Sequence, residues 1–165
     1  MSNLGLERSL LDLGIDFERA SVGDKFVMAK LKEKDWVLGG ETSGHVICRD
    51  VAIGGDGLIA CLQILRSMSA NRSGLCELRK GLIKYPQILI NVPVKEKSKI
   101  LNAPKLQETV MEAETSLGDK GRLLVRASGT EALIRVMVEG QDKGYIRSVA
   151  INVVKTIEEL ESRPG

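Results

Sequence analysis

The chain has 165 residues, 43% of them hydrophobic, 28% charged and only 3% aromatic, a mix that excludes collagenous, disordered and disulfide-stapled chains. The length leaves room for one domain or two small ones, with a real apolar core, and none for a large multidomain enzyme. Twenty-four Lys and Arg against 22 Asp and Glu leave a formal charge of +2, too small to make nucleic acid or an anionic membrane the expected partner. Any anion site therefore has to be local. Three scattered cysteines (Cys48, Cys61, Cys76) without a CxxC pair, beside a single histidine, His45, point to reduced thiols in a cytoplasmic protein and to no zinc site.

Glu7, Arg8 and Asp12 interrupt what would be the apolar stretch of an export signal, so none is expected. The apolar run Leu58 to Leu65 is far short of the roughly 20 residues of a membrane helix and is broken by Gln63. Leu6, Leu10, Leu13 and Ile15 predict a short opening helix. Ser21 to Asp24 reads as a loop, with Asp24 as the cap of a helix that buries Val27 and Leu31. Trp36 to Leu38 predicts a strand running into Gly39-Gly40, and His45 to Cys48 a second strand. Asp56, between glycines, caps a helix carrying Leu58, Cys61, Leu62 and Leu65 rather than holding a metal. Residues 1–72 thus form an α/β unit, followed by a linker or bridging helix over 73–86. In residues 87–165, strands over Ile88–Val94, Arg122–Arg126 and Leu133–Glu139 alternate with helices over Pro104–Leu117 and Lys143–Leu160. The last helix carries Ile146, Val149, Ala150, Val153, Val154 and Ile157 at helical spacing. This β-α-β-β-α order is the α+β solution, one sheet face covered by helices.

Two polar loops break the apolar frame. Arg126-Ala127-Ser128-Gly129-Thr130, with Arg135 beyond it, has the parts of a phosphate binder: two guanidinium groups, two hydroxyls and a glycine that admits close backbone approach. Gly39-Gly40-Glu41-Thr42-Ser43-Gly44-His45 offers a carboxylate and a hydroxyl to sugar hydroxyls or an ammonium. On residue types alone, a hairpin turn accounts for the first loop and a glycine-rich turn for the second, with His45 an ordinary strand histidine.

Taken in order, VGDKFV, GGETSGHVI, GGDGLIACLQIL, YPQILINV and VRASGTEALIRVMVEG resemble the C-terminal part of the α-D-phosphohexomutases, above all the bacterial phosphoglucosamine mutases. Members of that family have four domains around a cleft. They interconvert glucosamine 6-phosphate and glucosamine 1-phosphate through a bisphosphorylated sugar, on the way to UDP-N-acetylglucosamine and peptidoglycan, using a phosphoserine and Mg²⁺. The resemblance implies that Glu41, Ser43 and His45, with Asp24 and Lys25, belong to the sugar-binding third domain. It assigns Arg126, Ser128, Gly129, Thr130 and Arg135 to the phosphate loop of the fourth. It further implies a partial third domain and a complete fourth.

Thr42, Lys25 and Ala132 stand where the family has Gln or Asn, Arg, and Pro, and Ala132 leaves the loop less rigid than proline would. No serine loop of the TASHNP type and no DGDGDR metal loop occurs in the chain. The implied arrangement is a C-terminal fragment, inactive alone, that grips the substrate, with the nucleophile and Mg²⁺ on absent N-terminal domains, covalent or separate, that would cover apolar surface. A phosphomannomutase or phosphoglucomutase fragment and a noncatalytic sugar-phosphate-binding module are the alternatives, with a nucleic-acid binder disfavoured by balanced charge and scarce aromatics.

Overall fold

Residues 2–162 are described in the structure, a computed structural model, whose chain divides into two units, Met1–Ile83 and Lys84–Gly165. In the first, α1 (Leu4–Asp12) begins at Asn3, whose side-chain oxygen accepts the Gly5 N–H at 2.9 Å. The second helix, α2 (Asp24–Lys34), ends where Asp35 takes a left-handed conformation, φ 53°. Aspartate is one of the few non-glycine residues that tolerate this region. The Trp36 N–H then bonds back to the Leu31 carbonyl at 2.9 Å, which closes the helix end. That closure holds Trp36 at the cap, so β1 spans Leu38–Gly40 rather than the predicted Trp36–Leu38.

Strand β1 pairs antiparallel with β2 (Val46–Cys48), placing Gly39 opposite Ile47. Gly39 is required by packing, because a Cβ there would lie 2.7 Å from the Val27 side chain and 3.0 Å from Leu31. Helix α2 thus lies directly on the hairpin. Next, α3 (Gly57–Asn71) is capped as predicted by Asp56, whose carboxylate accepts the Leu58 and Ile59 N–H groups at 2.8 and 3.0 Å. No residue of α3 is buried: Leu58 is 79% exposed, and Leu62 and Leu65 are exposed with it. A one-turn helix, α4 (Leu75–Leu78), follows in the region read as linker.

The second unit has a larger core. Strands β3 (Gln87–Pro93), β4 (Gly121–Ala127) and β5 (Leu133–Gly140) form an antiparallel sheet of order β3-β5-β4, with β5 in the centre. Ile134, Val136 and Val138 alternate along β5 and pack against α6 (Pro104–Leu117) and α7 (Lys143–Glu161) through Leu106, Ile146, Val153 and Ile157. The periodicity of α7 is realised, with Val154 partly buried beside the other five apolar residues. Pro104 occupies the first turn of α6, where its missing N–H costs nothing. The helix α5 (Lys97–Leu101) is not predicted, because only Ile100 of its Lys-Ser-Lys-Ile-Leu run is buried. Among the described residues no helix is long and apolar enough to cross a membrane.

Two predictions follow from this packing. Ile134→Ala, at a fully buried position of the central strand, is expected to lower the unfolding free energy of the second unit by about 2–5 kcal/mol in denaturant titration. In the first unit, Lys30 and Lys34 lie 3.0 and 3.2 Å from the Glu18 carboxylate, and Lys30 also reaches Glu33 at 3.1 Å. The hydrogen bond from Lys30, then that from Lys34, lowers the Glu18 pKa; the bond to Glu18, then that to Glu33, raises that of Lys30. A lowered carboxyl stabilises fully above its unfolded value and loses the contribution as pH falls through its folded value. A raised ammonium contributes below its unfolded value and loses the contribution as pH rises through its folded one. Glu18→Gln should therefore flatten the acid limb of α2 protection in hydrogen exchange, and an unchanged limb would refute the assignment.

Candidate functional site

The predicted site residues lie on both units. In the first, the turn between β1 and β2 is closed by the Glu41 N–H to the His45 carbonyl at 2.9 Å and the Gly44 N–H to the Glu41 carbonyl at 3.1 Å. The Glu41 side chain reaches out of this turn, and its Oε1 accepts the Gly23 N–H at 2.9 Å. Gly23 has φ 123°, a conformation that side-chain-bearing residues rarely adopt, and it is the N-cap of α2. This corrects the assignment of Asp24 as cap. Asp24 is instead the first helical residue, placed where the helix dipole favours an acid, and its Oδ1 accepts the Lys25 N–H at 2.8 Å.

The Glu41–Gly23 bond therefore brings Asp24 and Lys25, which follow Gly23 in the chain, to the same hairpin as Ser43 and His45. The Lys25 ammonium lies over the Phe26 ring, 4.8 Å from its centre. Ser43 Oγ stands 3.4 Å from His45 Nδ1, and both residues are exposed. The second oxygen of Glu41 makes no bond among the described residues. A carboxylate with one oxygen fixed by backbone and one open can accept from a ligand hydroxyl or ammonium without first losing an internal partner.

In the second unit the β4–β5 ladder sets Arg126 directly opposite Arg135. Directly opposed residues share a sheet face, and like charges there repel. Farther along that face the same ladder pairs Arg122 with Glu139, 2.6 Å apart, although Glu139 is only 1% exposed. One cross-strand pair is neutralised internally and the other is not. Glu131 answers part of the charge, its Oε2 lying 2.9 Å from Arg135 Nη2. Arg126 has no such partner among the described residues. Counting Lys97, whose ammonium donates to the Ser128 and Glu131 carbonyls, the loop holds three cations against one carboxylate, an excess of two positive charges.

The loop between the arginines is folded on itself. Ser128, 3% exposed, donates its N–H to the Leu133 carbonyl, while its hydroxyl accepts the Glu131 N–H at 3.3 Å and lies 3.4 Å from Arg135 Nη2. Ser128 thus faces its own loop, whereas Gly129 and Thr130 are exposed, and the N–H groups of Gly129, Thr130 and Ala132 have no partner among the described residues. Guanidinium groups with nearby unpaired backbone N–H groups form an anion site. Sequence reasoning missed Glu131 and Lys97. Glu131 is only four residues from Arg135, but outside a helix that spacing signals no contact, and Lys97 is 31 residues from the carbonyl it binds.

These residues do not fit a divalent metal ion. Among the described residues no three acidic, histidine or cysteine side chains converge, and Asp56, a lone carboxylate, has its Oδ1 engaged by two backbone N–H groups.

Two family models match the chain: phosphoglucomutase/phosphomannomutase, alpha/beta/alpha domain III, over residues 1–85, and phosphoglucomutase/phosphomannomutase, C-terminal domain, over residues 89–156. The phosphoglucosamine mutase of Methylococcus capsulatus is 49% identical over 150 residues, which cover 91% of this chain and 34% of that protein. Among solved structures, the N-acetylphosphoglucosamine mutase of Aspergillus fumigatus in complex with glucose 1,6-bisphosphate matches with a TM-score of 0.78 at 17% identity, over 98% of this chain and 38% of that one. The same fungal enzyme in complex with GlcNAc-6P and magnesium matches with a TM-score of 0.59 at 22% identity, over 70% of this chain and 23% of that one. The chain spans about a third of the length of the curated relatives it matches. With both domain models matched in order along a fold shared with these enzymes, the chain belongs to the phosphoglucomutase/phosphomannomutase family and carries its domain III and C-terminal domain sequences.

Proposed function

We propose that this chain supplies the sugar-gripping and phosphate-gripping loops of a phosphoglucosamine mutase, which interconverts glucosamine 6-phosphate and glucosamine 1-phosphate through a bisphosphorylated sugar. The observation that carries the reading is the opposed Arg126–Arg135 pair, only partly answered by Glu131. A phosphate between the two guanidinium groups converts their repulsion into charge-assisted hydrogen bonds, and the N–H groups of Gly129 and Thr130 add neutral donors. At the sugar end, Glu41, Ser43 and His45, with Asp24 and Lys25 beside them, offer acceptors and donors to the hydroxyls and the amino group. An ammonium on the sugar finds its complement in the Glu41 carboxylate. The names of the relatives at up to 49% identity favour glucosamine over glucose or mannose as the hexose.

The chain contains neither the serine loop nor the metal loop of the family. On this reading the phosphoserine and Mg²⁺ belong to the first two domains, on the same polypeptide or a separate one, which would cover the exposed Leu58, Leu62 and Leu65. The reaction lies in the cytoplasm and feeds UDP-N-acetylglucosamine and peptidoglycan. Neither loop carries the nucleophile on this reading, so this chain contributes binding and positioning rather than bond making.

Titrating the chain with glucosamine 6-phosphate should shift the amide signals of Gly129, Thr130 and Arg135, whereas mutase turnover should require the N-terminal half. Absence of any shift, or turnover by the chain alone, would sink the reading. Arg126→Met should abolish that binding and leave stability unchanged or raised by up to about 1 kcal/mol, because it removes a like-charge cross-strand contact. Glu41→Gln keeps an oxygen for the Gly23 N–H and removes the charge. It should weaken glucosamine 6-phosphate by about tenfold while leaving glucose 6-phosphate nearly unaffected, a contrast that tests the carboxylate–ammonium contact directly.

A further inference from the structure

Lys97 opens α5, and its ammonium donates to the Ser128 carbonyl at 2.8 Å and the Glu131 carbonyl at 2.9 Å. These carbonyls bracket the Gly129-Thr130 turn. All described peptide bonds are trans, and a trans peptide points its C=O and the following N–H in opposite directions. Holding the Ser128 and Glu131 carbonyls on the ammonium therefore turns the Gly129 and Ala132 N–H groups away from it. Those two N–H groups have no partner among the described residues, and both residues are exposed. A glycine at 129 would otherwise let its peptide plane rotate freely and present a carbonyl oxygen, the wrong end of the dipole, to an anion.

We infer that Lys97 is the positioning residue of the anion loop: it holds two peptide planes so that the Gly129 and Ala132 N–H groups face a phosphate bound by Arg126 and Arg135. The inference rests on the phosphate-binding reading above. Its preorganising bonds are made before any ligand arrives, and the flexibility that Ala132 leaves in the loop is checked by a side chain from another element rather than by the loop's own backbone. Lys97 contributes charge as well, but so would any nearby lysine; the two carbonyl contacts distinguish it from Lys95, whose side chain is exposed.

The test compares the wild-type chain with Lys97→Met and Lys95→Met, which remove the same charge. Without ligand, Lys97→Met should move the carbonyl carbon signals of Ser128 and Glu131 and the amide signals of Gly129 and Ala132, while the signals of β5 and α7 stay in place. With inorganic phosphate and with glucosamine 6-phosphate, Lys97→Met should weaken binding by about tenfold, the loss expected when charged-donor hydrogen bonds that orient a site are removed. Lys95→Met should weaken it by less than about twofold, as a solvent-screened charge does. Unmoved loop signals in ligand-free Lys97→Met, equal losses in the two variants, or collapse of the β5 and α7 signals would each overturn the inference. Wild-type chain that binds neither probe overturns the phosphate-binding reading instead, and the ligand-free spectra still decide whether Lys97 sets the loop.

Discussion

Pairing β4 with β5 in the register that sets Leu124 against Met137 also sets Arg122 against Glu139 at one end of the ladder and Arg126 against Arg135 at the other. A slip of β5 by one residue would turn Ile134, Val136 and Val138 out of the core and move Arg135 to the face opposite Arg126. The core therefore enforces the site: burial of three apolar side chains, each contributing on the order of 1.5–3 kcal/mol, outweighs a like-charge pair that costs about 1 kcal/mol or less. The repulsion is retained because the register cannot relax to relieve it. Glu131 and Ser128, placed by the turn, hold Arg135 in position and leave Arg126 to be satisfied from outside.

The first unit is built on different terms. Few of its apolar side chains are buried, chiefly Leu4, Leu31, Ile47 and Cys48, so its local geometry leans on caps and turns. Asp35 in its left-handed conformation, Gly39 beneath α2 and Gly23 bonded to Glu41 each fix one junction. Glu41 is consequently both a candidate ligand contact and the tie that holds the loop before α2. Substitutions there have to be read with that double role in view, which is why glutamine, able to keep the Gly23 bond, separates charge from architecture.

Much of the second unit is legible in the sequence because one rule governs each element. Helical spacing from Ile146 to Ile157 gives α7, the apolar run from Leu133 to Val138, broken only by Arg135, gives β5, and Pro104 marks the start of α6. The Arg and hydroxyl residues of the anion loop are equally visible as residue types. Their arrangement is not: the opposition of Arg126 and Arg135 depends on strand register, and the inward turn of Ser128 depends on Glu131. The first unit resists because caps compete over one or two residues. Asp24 satisfies the rule for an N-cap, yet Gly23 takes that place because the Glu41 carboxylate satisfies its N–H and its own φ is open only to glycine. α5 escapes because three of its five residues are polar and its two apolar ones, Ile100 and Leu101, are adjacent and mark no period.

The contrast between the two cross-strand pairs bears on what the proposed clamp can discriminate. Arg122 spends its charge on Glu139 within the sheet, so it fixes structure and has little left for a ligand. Arg126 and Arg135 retain charge at the mouth of a loop whose free donors are backbone N–H groups, which carry no preference for one hexose over another. A phosphate bound there would be recognised as a dianion, with nothing read of the sugar attached to it. On the proposed function, in which a bisphosphorylated sugar has to be accepted by either end, that indifference is an advantage, since a site contacting one face of the ring would reject the reversed intermediate. On the same reading, discrimination among hexoses falls to the Glu41 turn, where one carboxylate oxygen holds the Gly23 N–H and the other has no partner among the described residues.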